Sequence, residues 1–294
     1  MIETIISCIS SGFQAFGNWL NLTFIWALIV AGFGAWIAKR IAYRNKRKDE
    51  LTSEIRALNA AVSVTSVVLE SFTALKRQHV GEMMRRFETE RQKFFAMQDS
   101  ARRGERQKVP EIQFDYLRLS MLRPPLEPLQ KLLYEKASPS AKALRLFAAL
   151  AQSADTLETM IETRNDLIAA NKTKPTEIKE LAARYFGLRD DNGVVDAEFS
   201  TALTAICRST DNGIWFSRRL FDELQLDLDD LRATFSNSFG EDAPRKVDYS
   251  FTSIDEARLM PPDEEFQDWI KNFPLRKPVL LRGRFQRLLT KKFA

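Results

Sequence analysis

Two different hydrophobic patterns follow one another along the first third of the chain. Residues 4–38 carry no charged side chain, and apolar residues fill most positions after Leu20. From Leu20 to Ala38 a helix would span about 28 Å at about 1.5 Å per residue, which matches the hydrocarbon core of a bilayer. The pattern predicts a transmembrane helix over 17–38, preceded by a short extracytoplasmic segment over 1–16.

The second pattern is periodic. Between residues 39 and 98 there is no proline, and Gly81 is the only glycine. Apolar residues recur there at alternating spacings of three and four, which is typical of a helix that packs along another helix. This first seam consists of Ile55, Leu58, Val62, Leu69 and Phe72, with Thr65 at the position between Val62 and Leu69. The spacing predicts one long helix over 39–98 that continues the transmembrane helix and packs on its own domain rather than in a self-associating coiled coil.

A second seam with the same spacing follows the dipeptide Ser138-Pro139. Serine is a good helix cap and proline suits the first helical position, so a helix is expected from there to about Ala170. The second seam consists of Phe147, Leu150, Leu157 and Ile161, with Ala154 at the position between Leu150 and Leu157. Because the two seams match, we expect the two helices to pair antiparallel and form the spine of the domain.

Shorter elements complete the predicted architecture. We expect a loop over 99–110, helices over 111–122, 175–186, 196–207 and 211–240, a short strand near 247–251 and a helix over 263–272. The helix ends are predicted at Pro124, Gly187 and Gly240. The fold class is therefore mainly α: a single N-terminal transmembrane helix, a long helix, a cytoplasmic helical-bundle domain over 99–240, and a Pro-rich, basic C-terminal segment over 241–294.

Charge separates the two ends of the chain from its middle. The net charge is +5, but the basic excess lies next to the apolar run and in the tail, whereas the body between them is acidic. Both basic clusters are expected to contact anionic lipid headgroups. They consist of Lys39, Arg40, Arg44, Lys46, Arg47 and Lys48 beside the membrane and Arg282, Arg284, Arg287, Lys291 and Lys292 in the tail. The tail also has the amphipathic pattern of a terminal helix packed on the domain, so both placements stay open.

The flanking charges also predict the topology. Basic loops remain on the cytoplasmic side, so the N-terminus is expected outside and the body in the cytoplasm, in our interpretation at a bacterial inner membrane. A cleaved signal peptide would place its basic residues before the apolar run, not after it. Within the run, Ala27, Ala31, Gly34 and Ala35 form a stripe of small residues of the kind through which membrane helices associate.

Catalytic motifs are scarce. His79 is the only histidine, and no nucleophile elbow, phosphate-binding loop or clustered zinc ligands occur in the sequence. Cys8 and Cys207 are expected on different sides of the membrane, so they cannot pair. Carboxylate clusters are the remaining candidates for a metal site, although such clusters are usually solvated. They consist of Asp190, Asp191 and Asp196; Asp227, Asp229 and Asp230; and Asp263, Glu264 and Glu265.

The sequence therefore predicts a non-enzymatic, single-pass membrane-anchored interaction or scaffold protein, with no catalytic residue, cofactor or metal ion. The expected partners are anionic lipid headgroups and either a protein partner or further copies of the chain. Nucleic acid is not expected, because the body lacks a basic face. The alternative is a self-assembling membrane effector of the pore-forming or host-defence type, and a second alternative is an enzyme with a carboxylate-bound metal.

Overall fold

The computed structural model describes residues 2–103, 112–173, 178–189, 193–247 and 259–272, with the backbone alone for 2–25, 101, 172–173 and 178. The chain is mainly helical, and the described residues contain no β-strand, only an isolated bridge between Arg189 and Val195. The α-helices are α1 Ile2–Leu75, α2 Gly81–Arg102, α3 Leu126–Lys131, α4 Ala141–Thr173, α5 Ile178–Phe186, α6 Glu198–Phe239 and α7 Gln267–Asn272.

The predicted continuous helix is confirmed. The apolar run and the first seam lie on one helix, α1, which a π-helical turn over Lys76–Val80 joins to α2. The turn lies where the seam loses its apolar residues, and it leaves His79 exposed. The helical path runs through Arg102, so the predicted loop start at residue 99 is wrong by a few residues.

The pairing of the two seams is wrong in its partner and its direction. The helix between them is α6, which packs against both α1 and α4. Arg44 and Lys76 of α1 contact Phe239 and Asp211 of α6, so these two helices are antiparallel. The N-terminal end of α4 likewise meets the C-terminal half of α6, because Ser140 binds Asp227. The helices α1 and α4 therefore run in the same direction on either side of α6.

The central helix α6 also corrects the prediction of two helices over 196–207 and 211–240. Asp211, expected as the cap of the second helix, lies inside α6 and forms an ion pair with Lys76 at 2.7 Å. Its 42 residues bury side chains on two faces, which allows one helix to serve two neighbours. At Gly213 the helices approach closely, since a Cβ atom there would overlap the Phe72 ring.

Residues 112–124 form an extended segment rather than the predicted helix over 111–122. Ile112, Phe114 and Tyr116 face the core at a spacing of two, which is the period of an extended chain. Side chains from the helices take the place of a neighbouring strand. Asn165 accepts a hydrogen bond from the Leu119 N–H at 3.0 Å and donates one to the Leu119 carbonyl at 2.8 Å.

Several predicted helix ends agree with the structure. Gly187 and Gly240 follow α5 and α6 with φ of 66° and 72°, which glycine adopts without strain. The predicted helix over 263–272 is a 3₁₀ turn, Asp263–Phe266, followed by α7. The cap of α4 is Ser140 instead of Ser138, because the Ala143 N–H donates to the Ser140 hydroxyl at 3.2 Å.

Some predictions lie outside the described residues. These are the tail residues Arg282, Arg284, Arg287, Lys291 and Lys292, the strand residues Tyr249 and Phe251, and the cluster residues Asp190 and Asp191.

Candidate functional site

The first feature that stands apart from the core is the stretch Trp26–Tyr43 of α1, here called the exposed apolar stretch. Every residue in it is exposed, and its large side chains include Val30 at 67% and Phe33 at 63%. Added Cβ atoms at Gly32 and Gly34 would meet nothing within 4 Å. Because the side chains on all faces of the helix are exposed together, the described part of the domain does not cover this stretch from any direction.

The length and hydropathy of this helix identify a possible membrane span less specifically than its burial does. Within the part of the chain that the structure describes, one continuous helical path, from Trp26 to Ser100, contains an 18-residue window of mean hydropathy 1.4. Half of that window is buried, and because no residue from Trp26 to Glu50 is buried, the window extends into the part of the path that packs in the core. A membrane span, a signal sequence and a core helix all satisfy this test. The burial pattern separates the helix into an exposed apolar part and, from Leu51 on, a part that belongs to the core.

The four small residues predicted as an association face lie in the exposed apolar stretch. Ala27, Ala31, Gly34 and Ala35 are all exposed. The stripe is therefore open to a neighbouring helix or to lipid.

The predicted basic cluster after the stretch divides into two groups. Arg44 donates a hydrogen bond to the Phe239 carbonyl at 3.4 Å, and Lys48 contacts Glu241 at 2.5 Å. These two cations hold the C-terminal end of α6, where the helix dipole favours positive charge. Lys39, Arg40, Lys46 and Arg47 are exposed along the turns that lead out of the domain. Four of the six side chains therefore point to solvent.

All nine seam residues are buried. In α1 and α4, each is at most 4% exposed and belongs to one continuous hydrophobic core. Their role is to pack the two helices against α6, as described above.

Buried polar side chains fasten the extended segment 112–124. Arg164, 1% exposed, donates hydrogen bonds to the carbonyls of Leu117 and Asp115 at 2.7 and 3.2 Å. Burial lowers the pKa of this guanidinium, although the nearby Asp115 opposes the change. Burial also raises the pKa of Tyr116 to about 12. The pattern of bonds to backbone atoms indicates that this cluster positions the chain rather than performing chemistry.

A groove on the outer face of α6 is the second candidate feature. Two cavities of about 430 and 600 Å³ adjoin there, and both are lined by Arg208, Asn212, Glu265 and Phe266. The smaller cavity reaches Met84 of α2, and the larger reaches Gln152 of α4. The groove therefore crosses α6 from α2 to α4. Sequence reasoning missed it, because its polar residues form no motif.

The carboxylate clusters predicted as metal candidates have structural partners. Asp229 pairs with Lys246 at 2.8 Å, and Asp263 accepts hydrogen bonds from Trp215 and Arg219. These two donors, Trp215 first, hold the pKa of Asp263 below its usual value. Among the described side chains, no group of three or more His, Cys, Asp or Glu is arranged to hold a metal ion.

Comparison with known proteins gave no match: no family model, no curated protein and no solved structure resembles the chain.

Proposed function

We propose that the protein is a non-enzymatic, single-pass membrane protein in which α1 crosses the bilayer over residues 17–38 and whose helical domain binds a protein partner at the cytoplasmic face. One observation carries the proposal. The same unbroken helix is exposed on all sides over Trp26–Tyr43 and is buried in the core from Leu51 on. From Trp26 to Ala38 the helix is uncharged on every face and needs an apolar surrounding, which the described residues of the domain do not supply.

The free energy gained by burying the exposed apolar side chains supports lipid as the surrounding of this helix. Seven large apolar side chains are exposed between Trp26 and Lys39: Trp26, Leu28, Ile29, Val30, Phe33, Trp36 and Ile37. Removing each from water contributes about 1.5–3 kcal/mol, so the stretch as a whole gains more than about 10 kcal/mol in a bilayer. This exceeds the total stability of many small domains.

The position of the basic residues supports the orientation. The exposed cations begin at Lys39, immediately after the last residue of the uncharged run, Ala38. Lys48, which contacts the domain, lies about 15 Å further along the helix at about 1.5 Å per residue. The headgroup layer is about 5–8 Å thick on each side, so the cations reach the headgroups while the domain stays clear of the hydrocarbon. Basic flanks favour the cytoplasmic side.

A signal sequence is the competing explanation of the apolar helix. It requires cleavage and basic residues before the apolar run. The intact mass of the protein isolated from its membranes distinguishes the two, because cleavage would remove the apolar run.

The test uses the two natural cysteines. We expect the chain to resist extraction by alkaline carbonate and to be removed by detergent. A membrane-impermeant maleimide should label Cys207 only after the membrane is opened and the domain is unfolded, because the thiol is half-buried. Burial also raises the pKa of the Cys207 thiol, which slows labelling of the folded domain. Cys8, on the outer side of the proposed span, should be labelled in intact cells. Labelling of Cys207 in intact cells in the presence of urea, or release of the chain by carbonate, contradicts the proposal.

Self-association within the membrane is the second candidate, and the exposed stripe of Ala27, Ala31, Gly34 and Ala35 favours it. The native mass after gentle detergent extraction separates the candidates. A stoichiometric second protein supports the interaction protein, and a defined homo-oligomer supports the self-assembling effector.

A further inference from the structure

The groove across α6 contains polar side chains that the protein itself does not use. Gln152, Arg208 and Asn212 line it, and none of them has a side-chain hydrogen bond or ion pair within the described residues. Ser209 lines the same cavity and is 5% exposed. The Thr210 and Ser217 hydroxyls of α6 donate to the carbonyl four residues earlier, whereas the Ser209 hydroxyl has no partner in the part of the chain described. The groove thus offers a set of unused donors and acceptors.

One wall of the larger cavity is aromatic. Phe216 and Phe266 are at most 6% exposed and pack edge to face at 5.9 Å between ring centres. Trp269 of α7 joins them at 4.8 Å from Phe216. A ligand side chain in the larger cavity would therefore meet aromatic carbon on one side and polar groups on the other.

The rest of the molecule shows what an asparagine on a helix face binds in this fold. Asn165 pairs with both the N–H and the carbonyl of Leu119, at 3.0 and 2.8 Å. Asn59 donates to the Arg245 carbonyl and accepts from the Val247 N–H, both at 3.1 Å. Each amide thus fastens an extended segment to a helix. Asn212 has the same chemistry, and its amide faces a groove instead of an internal segment.

We propose that this groove binds an extended peptide segment of the partner protein, with Asn212 pairing its backbone and Arg208 pairing one acidic side chain. Asn212 and Arg208 lie four residues apart on α6 and so project from the same face. The aromatic wall of Phe216 and Phe266 receives an apolar side chain of the segment. Glu265 and Asp268 also line the groove, so a segment with several acidic residues is repelled.

The dimensions fit a short segment. The groove crosses from α2 to α4, and neighbouring packed helices lie about 8–10 Å apart, so its length is about 16–20 Å. An extended chain advances about 3.3 Å per residue, so five or six residues span it. A shallow groove of this length suits a peptide, whose backbone supplies the hydrogen bonds and whose side chains supply the specificity.

The test selects displayed random peptides on the full chain in detergent micelles. We expect the enriched peptides to share one Asp or Glu beside an apolar residue. Selection on Arg208→Glu should replace that acid with Lys or Arg, because the charge it meets is reversed. The matched control is Arg56→Glu, on the exposed face of α1 and outside the groove, which should give the same peptides as the unaltered chain.

A second measurement tests whether Asn212 forms hydrogen bonds with the backbone of the peptide. Asn212→Ala should weaken the selected peptides about 10-fold in a fluorescence-anisotropy titration, since hydrogen-bonding groups of the peptide lose their partner. The near-ultraviolet circular dichroism of each variant should match that of the unaltered chain, which shows that the domain stays folded.

Three results would overturn the proposal: no enriched peptides, the same peptides from Arg208→Glu, or basic apolar peptides that resemble residues 275–294 of the chain. The last would assign the groove to the chain's own tail or to a second copy. The inference rests on the proposed function, because it assumes a protein partner. A failure of the proposed function can be distinguished from a failure of the groove proposal, because carbonate extraction tests the membrane span and peptide selection tests the groove.

Discussion

Two apolar parts of the same helix are surrounded differently. Over Trp26–Tyr43 every side chain of α1 is exposed, whereas from Leu51 to Leu75 one side of the helix is buried against α6 and its neighbours. Their hydropathy alone does not separate them, because the helix that passes the test for a membrane span includes the core part. The distinction lies in periodicity: polar residues return at regular intervals in the second part, whereas no charged or amide side chain occurs from Trp26 to Ala38 of the first. A three-four seam indicates a protein neighbour on one side, whereas an apolar stretch without such a seam is typical of a helix that is enclosed on all sides, as in the proposed span.

The largest effect that tests this comparison is expected from Phe72→Ala. Phe72 is fully buried against Gly213, so its truncation leaves a cavity and should cost about 3–5 kcal/mol of the free energy of unfolding. Urea unfolding of the full chain in detergent, followed by tryptophan fluorescence, measures the loss. The control is Phe33→Ala in the exposed apolar stretch, which should leave the domain's unfolding midpoint unchanged. An equal loss for both variants would show that the domain covers the stretch.

The reverse experiment introduces a charge. Val30→Lys places an ammonium group near the centre of the proposed span, where it costs about 2.5–3.5 kcal/mol, equivalent to roughly 100-fold less insertion. The fraction of chain retained in carbonate-washed membranes measures it. The matched variant is Val67→Lys, at a position 48% exposed on the core part of α1, which should stay fully retained. Full retention of both variants contradicts a span at Val30.

A smaller effect is expected where the core part of α1 holds an extended segment. Asn59→Ala removes both hydrogen bonds to the backbone of Arg245 and Val247 and should cost about 2 kcal/mol of the free energy of unfolding. Asn45 is exposed on the same helix, so Asn45→Ala serves as the control. Urea unfolding compares the two, and an unchanged midpoint for Asn59→Ala would mean that the segment is held by other contacts.

The smallest effect is expected at the boundary between the two parts. Lys48 and Glu241 remain 37% and 54% exposed, so Lys48→Ala should cost less than about 1 kcal/mol, and high salt should reduce the difference. Lys46→Ala is the control, because the ion-pair partner of Lys46, Glu50, lies on α1 itself and not on another part of the domain. A salt-independent loss above this value would indicate that the domain begins earlier on the helix than Arg44.

The sequence allowed the long helix and its seam to be predicted, because both depend on local periodicity. The residues of the first seam recur at three-four spacing, and glycine marks the end of α6 at Gly240. The break proposed at residues 208–211 was wrong for a physical reason. Asp211 has the side chain of a cap, and only folding brings Lys76 close enough to pair with it inside the helix.

The extended segment shows a second limit. The alternation of Ile112, Phe114 and Tyr116 was visible in the sequence, but the side chains that hold the segment come from Arg164 and Asn165, more than forty residues away. The groove had no local signal either. Gln152 and Asn212 are ordinary polar residues on separate helices, and they become neighbours only because α4 and α6 run antiparallel.

Because α1 is unbroken, it can act as a rigid lever: a small tilt at its N-terminal part moves its C-terminal end over a large distance. From Ala38 to Leu75 the helix extends about 55 Å at about 1.5 Å per residue, and no proline or glycine interrupts it. Membrane helices tilt by about 20° on average, and a tilt of that size would swing the end of α1 sideways by about 19 Å. Because α6 is packed along this lever, the groove on its outer face would sweep through a comparable arc. In the proposed membrane arrangement, a change in bilayer thickness would thus alter the distance of the groove from the lipid surface.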